Sequence, residues 1–579
     1  MPLSAPLSLE PRIRWLDRSP PEGVWRALAL ESRLPDLQCR LLCARGAADA
    51  AQARAYLEGT SQTHEPLLLS GMPAAVARLK LAFERRDKVT IFGDYDVDGV
   101  TSTVLLAKLF GLLQIPYDYY LPNRLKEGYG PNIPALEDIR RRGAAVVVTV
   151  DCGVTALAEA RAAKAMGLDY IVTDHHVAGP ELPDALALVN PKTSPHYPYD
   201  MLGGVGVAYK LAQALLDELS HPRKAEFLDH MLELVALGTV CDVAPLDGEN
   251  RWLVKQGLER LRQGRWLGLR CLGEAAGLRP GAIDSGSLGF VLGPRLNAGG
   301  RVGDPALGVK LLLSKEAGEA RALASSLEAE NKRRQAIEKE VLLAASGCAA
   351  LALSAGAKAL VLWGADWHPG VLGLAASRLL EKHGLPVMVG ALSGPWARFS
   401  GRSRRPFNLV QALQACASHL SKFGGHEFAA GATVAAADLD AFKAAFLARA
   451  EDLRPEDRAA ILSIDAWVGF PELTPLAMEY LEAMEPFGIK NPRPILAATG
   501  LRLLPACRMV GADGSHLKLA LKQGEKTMEG IAFKQGARLA ELGGPGAVVD
   551  AAFHLAWNDF NGKRSLQLEV RDLRPTVGP

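Results

Sequence analysis

The chain has 579 residues, 49% of them hydrophobic, and a single hydrophobic core stops growing at roughly 250–300 residues, so several domains are expected. Its 66 basic and 64 acidic residues nearly balance, which excludes a strong overall field for nucleic acid, and any basic surface must be local. The eight cysteines are mostly isolated, with no CxxC pair, and no stretch reaches the roughly 20 apolar residues of a membrane span. We therefore expect a soluble, cytoplasmic protein with reduced thiols.

Residues 1–65, the N-terminal segment, carry prolines and an alanine-rich helical pattern near 46–58, and their role stays open. From Lys88 onward, short β-branched runs alternate with helical patterns: KVTIF precedes GVTSTVLLAKLFGLL, and AAVVVTV precedes ALAEARAAKAMG. Such alternation predicts a parallel, doubly wound α/β sheet, in which ligands bind outside the carboxyl ends of the strands. We assign residues 66–310 to this first domain.

The rest of the chain predicts a connector and two further domains. The stretch KEAGEARALASSLEAENKRRQAIEKEVLLAA lacks proline and is rich in helix formers, so residues 311–346 should form a long connecting helix. A second α/β pattern covers residues 347–455. Beyond about residue 460, HLKLALK and SLQLEVRDL alternate polar and apolar positions, and NDFNGK suits a hairpin turn. Residues 460–579 therefore predict a small β-barrel of the OB-fold type.

The stretch GDYDVDG places Asp94, Asp96 and Asp98 on alternate positions, and like charges this close repel one another. The spacing matches the start of an EF-hand loop. That loop needs a glutamate at its twelfth position, which is Leu105 here, and a helix rather than the strand-like KVTIF before it. Helix capping explains one aspartate at a strand-to-helix junction but not three. A catalytic metal site and a solvated turn are the alternatives that remain.

Further acids and imidazoles follow other predicted elements. Asp151 ends one strand, Asp174, His175 and His176 end the next, and Asp242 follows a helical pattern. Each residue alone could cap a helix or make an ordinary polar contact, but their convergence at one sheet edge favours a metal centre. Carboxylates with histidine suit Mn²⁺ or Mg²⁺ better than structural zinc. Two such ions would offset the carboxylate repulsion, lower the pKa of a water and hold a phosphoryl group for in-line attack, so the sequence indicates a phosphoester hydrolase.

The motifs DYDVDG, TVDCG, TDHH and GTVCDV, in that order, resemble the phosphoesterase motifs of the DHH superfamily. GPRLNAGGR, WHPGVLGLAASR, GRS and FGGHEFAAG resemble the further motifs of one branch, the RecJ family of single-strand-specific DNA exonucleases. The resemblance extends from about Pro66 to the C-terminus, and the connecting helix and the terminal barrel agree with it. The chain departs from the family pattern at Cys241, before Asp242, and by a shortened stretch after GRS.

The resemblance implies a site that holds two divalent ions, Mn²⁺ or Mg²⁺. His176 would lie beside the scissile phosphate, where it stabilises developing charge or assists the leaving oxygen, and Asp174 would orient a histidine. How the first three aspartates divide between the ions stays open, and Asp94 is the least favoured ligand. The metal ligands would be drawn from Asp94, Asp96, Asp98, Asp151, His175 and Asp242.

Arginines, aromatic residues and glycines near the motifs are the expected substrate contacts. Guanidinium groups suit phosphate, Tyr129 could stack on a base or sugar, and glycines in a loop over 289–304 would let the backbone approach a ligand closely. FSGRSRRP, the densest basic cluster, would grip the DNA backbone or a 5′ terminal phosphate, and FGGHEF predicts a tight turn with an exposed imidazole. Ordinary polar loops are the alternative. The expected contacts are Arg124, Tyr129, Arg295, Asn297, Arg301, His368, Arg378, Arg402, Ser403, Gly424, Gly425 and His426.

The predicted barrel adds Trp557, Phe560, Lys563 and Arg564 around its hairpin. Aromatic side chains mixed with basic ones suit the binding of a single strand, although a barrel also needs aromatic residues inside.

The sequence as a whole predicts a metal-dependent exonuclease that degrades single-stranded DNA. The resemblance implies 5′→3′ direction, mononucleotide products and roles in DNA recombination and repair. We expect a monomer, with a single-strand-binding protein and a helicase as the partners considered. One rival is a DHH hydrolase of short oligoribonucleotides, cyclic dinucleotides or pyrophosphate, but such relatives are shorter and generally lack a C-terminal barrel. The other rival is a scaffold without activity, which the complete set of motif carboxylates and histidines disfavours.

Overall fold

The structure, a computed structural model, describes residues 13–59, 63–124, 126–560 and 562–576. The chain divides into two compact units: Gln62–Arg458 form the larger one, and the described residues of Met1–Ser61 and Ala459–Pro579 form the other. No helix in these described ranges is long and apolar enough to cross a bilayer. The N-terminal segment and the terminal barrel thus share one unit, a link that the sequence did not indicate.

The N-terminal segment forms a strand and three short helices in its described part: β1 (Ile13–Asp17), α1 (Glu22–Ser32), α2 (Asp36–Ala44) and α3 (Ala50–Glu58). The alanine-rich pattern corresponds to α3, which Asp49 caps by accepting a hydrogen bond from the Gln52 amide at 2.7 Å. β1 pairs in parallel with residues 460–464, and the Trp15 indole donates to Asp572 at 2.7 Å. These contacts tie the segment to the barrel.

Residues 72–189 form the predicted parallel sheet. The strand order is β3–β2–β4–β5–β6, and every neighbouring pair is parallel, so all five carboxyl ends lie at one edge. The elements are α4 (Met72–Arg85), β2 (Val89–Gly93), α5 (Val97–Leu112), β3 (Tyr117–Tyr120), α6 (Ile133–Arg141), β4 (Val146–Val150), α7 (Leu157–Ala165), β5 (Asp169–Thr173) and β6 (Ala187–Val189).

The central strand β4, VVVTV, is buried throughout. Its side chains alternate between two cores: Val148 packs with the α5 side chain Leu105, while Val147 packs on the other face with Leu136 of α6. Because strand side chains alternate in direction, a strand covered by helices on both faces is apolar at every position. This burial fixes the sheet edge on which the acidic residues sit.

A helical layer follows the sheet and covers one of its faces. α9 ends at Cys241, immediately before Asp242, as the sequence predicted. The glycine-rich stretch expected to be a loop is instead a π-helical turn over Leu288–Leu292 followed by α13, because its glycines allow close packing: a Cβ at Gly300 would lie 2.7 Å from the Tyr95 carbonyl. The helices are α8 (Gly204–Glu218), α9 (Lys224–Cys241), α10 (Gly248–Leu261), α11 (Leu267–Ala275), α12 (Ser285–Ser287), α13 (Gly293–Val302) and α14 (Ala306–Leu313).

The long helix α15 runs from Ala317 to Ser354, and its 38 residues span about 57 Å at 1.5 Å per residue. The predicted helix occupied residues 311–346. Residues 311–313 belong to α14 instead, and the helix continues for eight residues because CAALALS keeps strong helix formers. α15 packs against α11 and α13 and then against α16 (Leu372–His383) of the next domain.

The second α/β domain has a mixed sheet with the strand order β10–β11–β9–β8–β7. β7 and β8 are parallel, and the other pairs are antiparallel. The elements in addition to α16 are β7 (Leu360–Gly364), β8 (Val387–Ser393), β9 (Trp396–Arg402), α17 (Leu409–Ala415), β10 (Lys422–Gly425), β11 (Ala429–Ala435) and α18 (Leu439–Ala448).

The C-terminal strands close into the predicted barrel. β14, β16, β17, β19 and β18 follow one another around a ring that returns to β14, and β17–β19 is its parallel pair. This is the five-stranded topology of an OB-fold. The elements are β12 (Ala460–Ile464), β13 (Ala466–Trp467), α19 (Pro475–Glu482), β14 (Leu496–Leu503), β15 (Arg508–Val510), β16 (His516–Gln523), β17 (Lys526–Ala532), α20 (Arg538–Glu541), β18 (Val548–Phe560) and β19 (Lys563–Pro575).

Candidate active site

Carboxylates from four segments meet at the carboxyl edge of the parallel sheet. Asp94 follows β2, Asp151 follows β4 and Asp174 follows β5, while Asp242 is the C-cap of α9. Their meeting follows from topology, because neighbouring parallel strands end at the same edge and α9 packs on α5, which begins there.

His175 lies at the centre of these acids. Its Nε2 is 3.0 Å from Asp151 Oδ1, 3.7 Å from Asp242 Oδ2 and 3.8 Å from Asp98 Oδ2. The imidazole is almost fully buried, whereas Asp242 is 22% exposed and His176 36% exposed. The open side of the cluster therefore faces His176 and Asp242.

Three buried atoms of the cluster, Asp94 Oδ1, Asp151 Oδ1 and His175 Nε2, make no hydrogen bond to any residue that the structure describes. A buried polar atom left in this state costs free energy unless a ligand, ion or water satisfies it. Ligand atoms also group closely enough to hold cations. The groups whose ligand atoms all lie within 4.8 Å of one another are Asp94–Asp96–Asp151, Asp98–His175–Asp242 and Asp151–His175–His176.

The aspartates of GDYDVDG are held in different ways. Asp98 accepts hydrogen bonds from the Gly204 amide at 2.7 Å and the Val205 amide at 2.9 Å, where the N-terminal end of α8 favours a negative charge. Asp96 caps α5 by accepting from the amides of Asp98 at 3.0 Å and Gly99 at 3.1 Å. Asp94 has a buried oxygen with no hydrogen-bond partner in the described part of the chain. Capping thus accounts for one of the three acids.

Asp174 organises the histidine segment. Its Oδ2 accepts from the Val154 amide at 2.8 Å, and its Oδ1 accepts from the amides of His175 and His176 and lies 2.8 Å from His176 Nδ1. The Tyr129 hydroxyl lies 3.3 Å from the same nitrogen and donates to the Asp151 carbonyl. Asp174 has both oxygens occupied and belongs to none of the three groups of close ligand atoms found among the described residues, which suits an orienting role.

Burial and mutual repulsion raise the pKa values of the carboxyl groups in the cluster. Burial, and then the charge of Asp96, raises the pKa of Asp94 well above its usual range and that of Asp98 to about 7. Burial, and then the charge of Asp98, also raises the pKa of Asp151 and Asp242. Acids that burial and mutual repulsion keep protonated would ionise readily beside a divalent cation.

The pKa values of the two histidines shift in opposite directions. Burial, and then the charge of His176, lowers the pKa of His175 to about 3, which leaves it in the neutral form that binds metal. Burial opposes the charging of His176, but the hydrogen bond to Asp174 and the charges of the nearby aspartates together outweigh it and raise the His176 pKa. Oxygen ligands with one neutral imidazole and three unsatisfied atoms fit Mn²⁺ or Mg²⁺.

Backbone geometry makes room for the acids. A Cβ at Gly204 would lie 2.8 Å from Asp151 Oδ1, and one at Gly238 would lie 2.7 Å from Asp98 Oδ1. Asp151 has φ 61° and Val243 has φ 64°, a left-handed conformation that costs on the order of 1–3 kcal/mol in a residue other than glycine. This strain sits beside two of the carboxylates.

Sequence analysis missed Asn190 and Lys192, which follow β6 at the same edge. The Lys192 ammonium donates to the His175 carbonyl, and the Asn190 amide donates to the His176 carbonyl at 2.9 Å. Both brace the segment that carries the histidines. The rule that polar residues after parallel strands approach a ligand would have found them, had it been applied to the last predicted strand, ALALVN.

Models of three known protein families match most of the chain. Residues 88–239 match the model described as DHH family, N-terminal domain, residues 356–452 match the DHHA1 domain, and residues 464–572 match the RecJ OB domain. The single-stranded-DNA-specific exonuclease RecJ of Bacillus subtilis (strain 168) is 36% identical over 573 residues, which cover 97% of this chain and 71% of the relative.

The chain belongs to the RecJ family. Its fold resembles the crystal structure of RecJ in complex with Mn²⁺ from Thermus thermophilus, with a TM-score of 0.85, 32% identity and coverage of 98% of this chain and 80% of that one. The Mg²⁺ complex of RecJ from the same organism gives a TM-score of 0.79, 30% identity and coverage of 98% and 79%. The RecJ-family fold, with its barrel and its α/β domains, is the one predicted.

Three predicted substrate residues of this RecJ-family chain gather near the acidic cluster. The Arg124 guanidinium lies 5.3 Å from the centre of the Tyr95 ring, within the loop that carries the aspartates. Burial, and then the like charge of Arg124, lowers the pKa of Arg301 to about 10 and also lowers that of Arg402. Arginines that crowd one another in this way would gain from an anion placed among them.

A groove of about 690 Å³ opens between the end of α9, α13, α15 and α16. Arg295, Asn297, Arg301 and Arg378 all line it. Arg295 donates to Glu328 at 2.6 Å, and Arg378, which is 58% exposed, lies 3.3 Å from Glu381. The predicted contacts from two domains therefore share one groove that reaches Cys241, next to Asp242.

His368 and Arg402 hold the turn that begins α16. His368 Nδ1 accepts from the Gly370 amide at 3.1 Å, and Arg301 donates to the Gly370 carbonyl at 3.2 Å. A Cβ at Gly373 would lie 2.9 Å from Arg402 Nη2, so the guanidinium rests on the first turn of α16. Cationic groups and a helix N-terminus meet there.

The remaining predicted contacts of the second domain are arranged around the β10–β11 hairpin. Ser403 is buried and donates to the Phe407 carbonyl at 2.9 Å, so its hydroxyl shapes the loop and does not face the groove. Gly424 and Gly425 end β10 rather than forming the turn, and Gly425 has φ 141°. His426 is exposed, as predicted, beside Ala429, which pairs with Arg402.

The predicted barrel residues flank the β18–β19 hairpin. Arg564 lies 4.6 Å from the centre of the Trp557 ring, and the Trp557 indole donates to Glu482 at 3.0 Å. Lys563 is exposed. The side chain of Phe560 lies outside the described part of the chain.

Proposed function

We propose that this RecJ-family chain is a metal-dependent exonuclease that removes mononucleotides from the 5′ end of single-stranded DNA, with a role in DNA recombination and repair. The observation that carries the proposal is the set of buried, unsatisfied ligand atoms at the sheet edge, Asp94 Oδ1, Asp151 Oδ1 and His175 Nε2. Relatives that bear the name of a single-stranded-DNA-specific exonuclease support the choice of substrate.

The proposal includes two divalent ions, Mn²⁺ or Mg²⁺. When bound, such ions supply a water of lowered pKa and stabilise charge on phosphoryl oxygens. Asp151 is the residue in reach of both groups, because its Oδ1 lies 3.0 Å from His175 Nε2 and it also groups with Asp94 and Asp96. The proposed ligands are Asp94, Asp96 and Asp151 on one side and Asp98, His175 and Asp242 on the other.

His176 is the proposed catalytic residue of the chain itself. Asp174 raises its pKa and fixes its ring, so that a protonated imidazole faces the open side of the cluster. Hydrolysis joins a water oxygen to phosphorus and breaks the bond from phosphorus to the 3′ oxygen. A protonated His176 would share the negative charge that develops on the phosphoryl oxygens or give its proton to the departing oxygen.

Recognition of a 5′ terminal phosphate would fall to the arginines beside α16. Arg402 lies on the first turn of that helix, and Arg124 lowers its pKa further after burial does. A terminal phosphate carries more charge than a phosphodiester, and it would be held by the helix N-terminus and the guanidinium groups together. This arrangement supports the 5′→3′ direction.

The barrel is a second proposed surface for single-stranded DNA. In an OB-fold, oligonucleotides bind to the second and third strands and to the loop between the fourth and fifth. Here these correspond to β16, β17 and the turn beside Trp557 and Arg564.

We also propose that the chain acts as a cytoplasmic monomer alongside a single-strand-binding protein and a helicase. All eight cysteines lie in described ranges and are free thiols, which agrees with a reducing compartment.

A time course on one oligonucleotide tests the proposal. A single strand of about 40 nucleotides, labelled at its 5′ or 3′ end, is incubated with Mn²⁺, with Mg²⁺ and with EDTA. We expect the 5′ label to appear at once as mononucleotide, the 3′ label to pass through a shrinking ladder, and EDTA to stop both.

Matched substrates separate the alternatives. The same strand in a blunt duplex should be degraded far more slowly, and so should a dinucleotide. Faster turnover of the dinucleotide would favour the rival class of small-substrate hydrolases. A 3′ label released first would show that the proposed direction is wrong. Activity in EDTA would show that the reaction does not need a metal.

A further inference from the structure

Phe290 is an exposed aromatic residue close to the candidate metal site. Its side chain is 84% exposed, although it lies in a helical stretch between the buried residues Leu288 and Leu292. The stretch is a π-helical turn, a rare conformation that often marks functional sites. A single exposed apolar side chain is common on protein surfaces, so only the position of Phe290 can indicate a role.

The π-helical turn is fixed to the end of α9. The Cys241 thiol donates to the Leu288 carbonyl at 3.4 Å, and a Cβ at Gly293 would lie 2.5 Å from Cys241 Sγ. Both ends of the turn thus rest on the residue before Asp242. The turn that carries Phe290 is therefore anchored beside a proposed metal ligand, while the Phe290 side chain is exposed.

Phe290 lines the groove of about 690 Å³ that also contains Arg295, Arg301, Arg334 and Arg378. Among the described residues that line this groove, it is the aromatic one. An aromatic face beside guanidinium groups is the surface to which a nucleotide chain binds, because its bases stack and its phosphates pair with cations. The cationic side chains that line the groove outnumber the acidic ones, Glu338 and Glu381, which favours a nucleic-acid strand over a protein partner.

We propose that Phe290 is a stacking platform for one nucleobase of the bound single strand. The role rests on the proposed function, and it adds a contact that positions the strand at the mouth of the groove. Stacking on an aromatic ring tolerates any base, so Phe290 would detect that a base is present and not which one it is. A paired base has both faces covered by its neighbours in the duplex, so the same contact would favour single strands.

An abasic scan tests the role directly. A set of single strands, each lacking one base at a successive position from the 5′ end, is degraded by the wild-type chain, Phe290→Ala, Phe290→Trp and the control Phe83→Ala, which removes an exposed ring on α4. Initial rates in Mn²⁺ give kcat and KM for the first cleavage. Circular dichroism melting confirms that the variants fold.

We expect Phe290→Ala to lose about 5- to 150-fold in kcat/KM on the intact strand, mainly through KM, and Phe290→Trp to retain activity. Wild-type enzyme should suffer a loss of the same size when one particular base is missing, and Phe290→Ala should lose nothing further at that position. The Phe83→Ala variant should behave as the wild type does.

Two outcomes would overturn the role, and they differ from a failure of the proposed function. If Phe290→Ala matches the wild type on the intact strand, or keeps the same abasic sensitivity, stacking on Phe290 is wrong and the ring is left for a protein contact. If the wild-type chain does not degrade the intact strand at all, the proposed function falls, and this role with it.

Discussion

The acidic cluster at the sheet edge and the arginine-lined groove lie in the same unit but are neutralised differently. In the cluster, carboxylates converge with unsatisfied atoms, and burial keeps their pKa values high. The arginines in and beside the groove already have partners: Arg295 donates to Glu328, Arg301 to the Gly370 carbonyl and, on the first turn of α16, Arg402 to the Gly401 carbonyl.

This difference separates the residues proposed for catalysis from those proposed for substrate binding. A cation would stabilise the ionised form of these crowded carboxylates, so the function of the cluster should depend on metal and the loss of a ligand should stop turnover. Arginines that are satisfied in the free protein can exchange one partner for a phosphate, so their loss should weaken substrate binding and leave the chemistry in place. Four predictions test that separation.

The largest effect is expected for Asp151→Ala. This residue is in reach of both proposed metal groups, so its loss should lower kcat at least about 10³-fold in Mn²⁺ while the melting curve stays cooperative. The exposed Asp184→Asn, which removes a carboxylate 62% exposed beside Lys164, is the control and should keep full activity. A near wild-type rate for Asp151→Ala would show that the metal centre is misplaced.

Arg402→Ala should act on binding instead. Removing a guanidinium that contacts a charged group costs about 10- to 100-fold in KM, with kcat within about threefold of the wild type. The variant should also lose any preference for a 5′ phosphate over a 5′ hydroxyl. Arg405→Ala, three residues along and 83% exposed, is the matched control. A loss confined to kcat would contradict the separation between cluster and groove.

Asp174→Asn tests the orienting role. Without the carboxylate the His176 pKa should fall, because the hydrogen bond to Asp174 and the charge of Asp174 are the main effects that raise it against burial. We expect kcat to drop about 10- to 100-fold and the alkaline limb of its pH profile to move to lower pH. An unchanged profile with a lowered kcat would mean that His176 does not titrate in the reaction.

The smallest effect concerns stability and pH. The pKa of Asp98 rises from 3.8 to about 7 on folding, so between these values the folded chain holds a proton that the unfolded chain has lost. The free energy of unfolding of the metal-free protein should therefore fall as the pH rises from 4 to 7 and stay low above it.

Calorimetry in EDTA at pH 6 and pH 8 measures this difference. Mn²⁺ should raise Tm more at pH 8, where the repelling charges are fully developed, and Asp98→Asn should reduce the pH dependence. A metal-free protein that is more stable at pH 8 than at pH 6 would show that the cluster carries no net repulsion.

Much of the fold could be predicted because its signals are local. DYIVT coincides with β5, HLKLALK lies within β16 and the alternation of strands and helices gave a parallel sheet with its acids at one edge. The prediction of a loop for the glycine-rich stretch was wrong. The close approach of Gly300 to the Tyr95 carbonyl is a long-range contact that glycine content alone does not reveal.

The site residues show the same contrast between local sequence signals and long-range contacts. Asp94, Asp151 and Asp174 follow buried strands, so sequence and topology together were enough to bring them to one edge. Ser403 lies in a basic cluster by sequence, yet its hydroxyl bonds to the Phe407 carbonyl, and Lys192 carries no motif, yet it donates to the His175 carbonyl. Such contacts depend on the direction of single side chains.

The sequence by itself determined the chemistry, because carboxylates on successive strand ends of a parallel sheet must meet and must then find a countercharge. Only the tertiary structure decided which oxygen serves which purpose: Asp96 caps α5, Asp98 accepts from the amides of α8, and Asp174 turns both oxygens toward the protein. The packing of α13 and α16 around one groove was equally a matter of tertiary structure. Pattern and topology fix where charges gather, while packing and hydrogen bonds fix which of them stay free to bind.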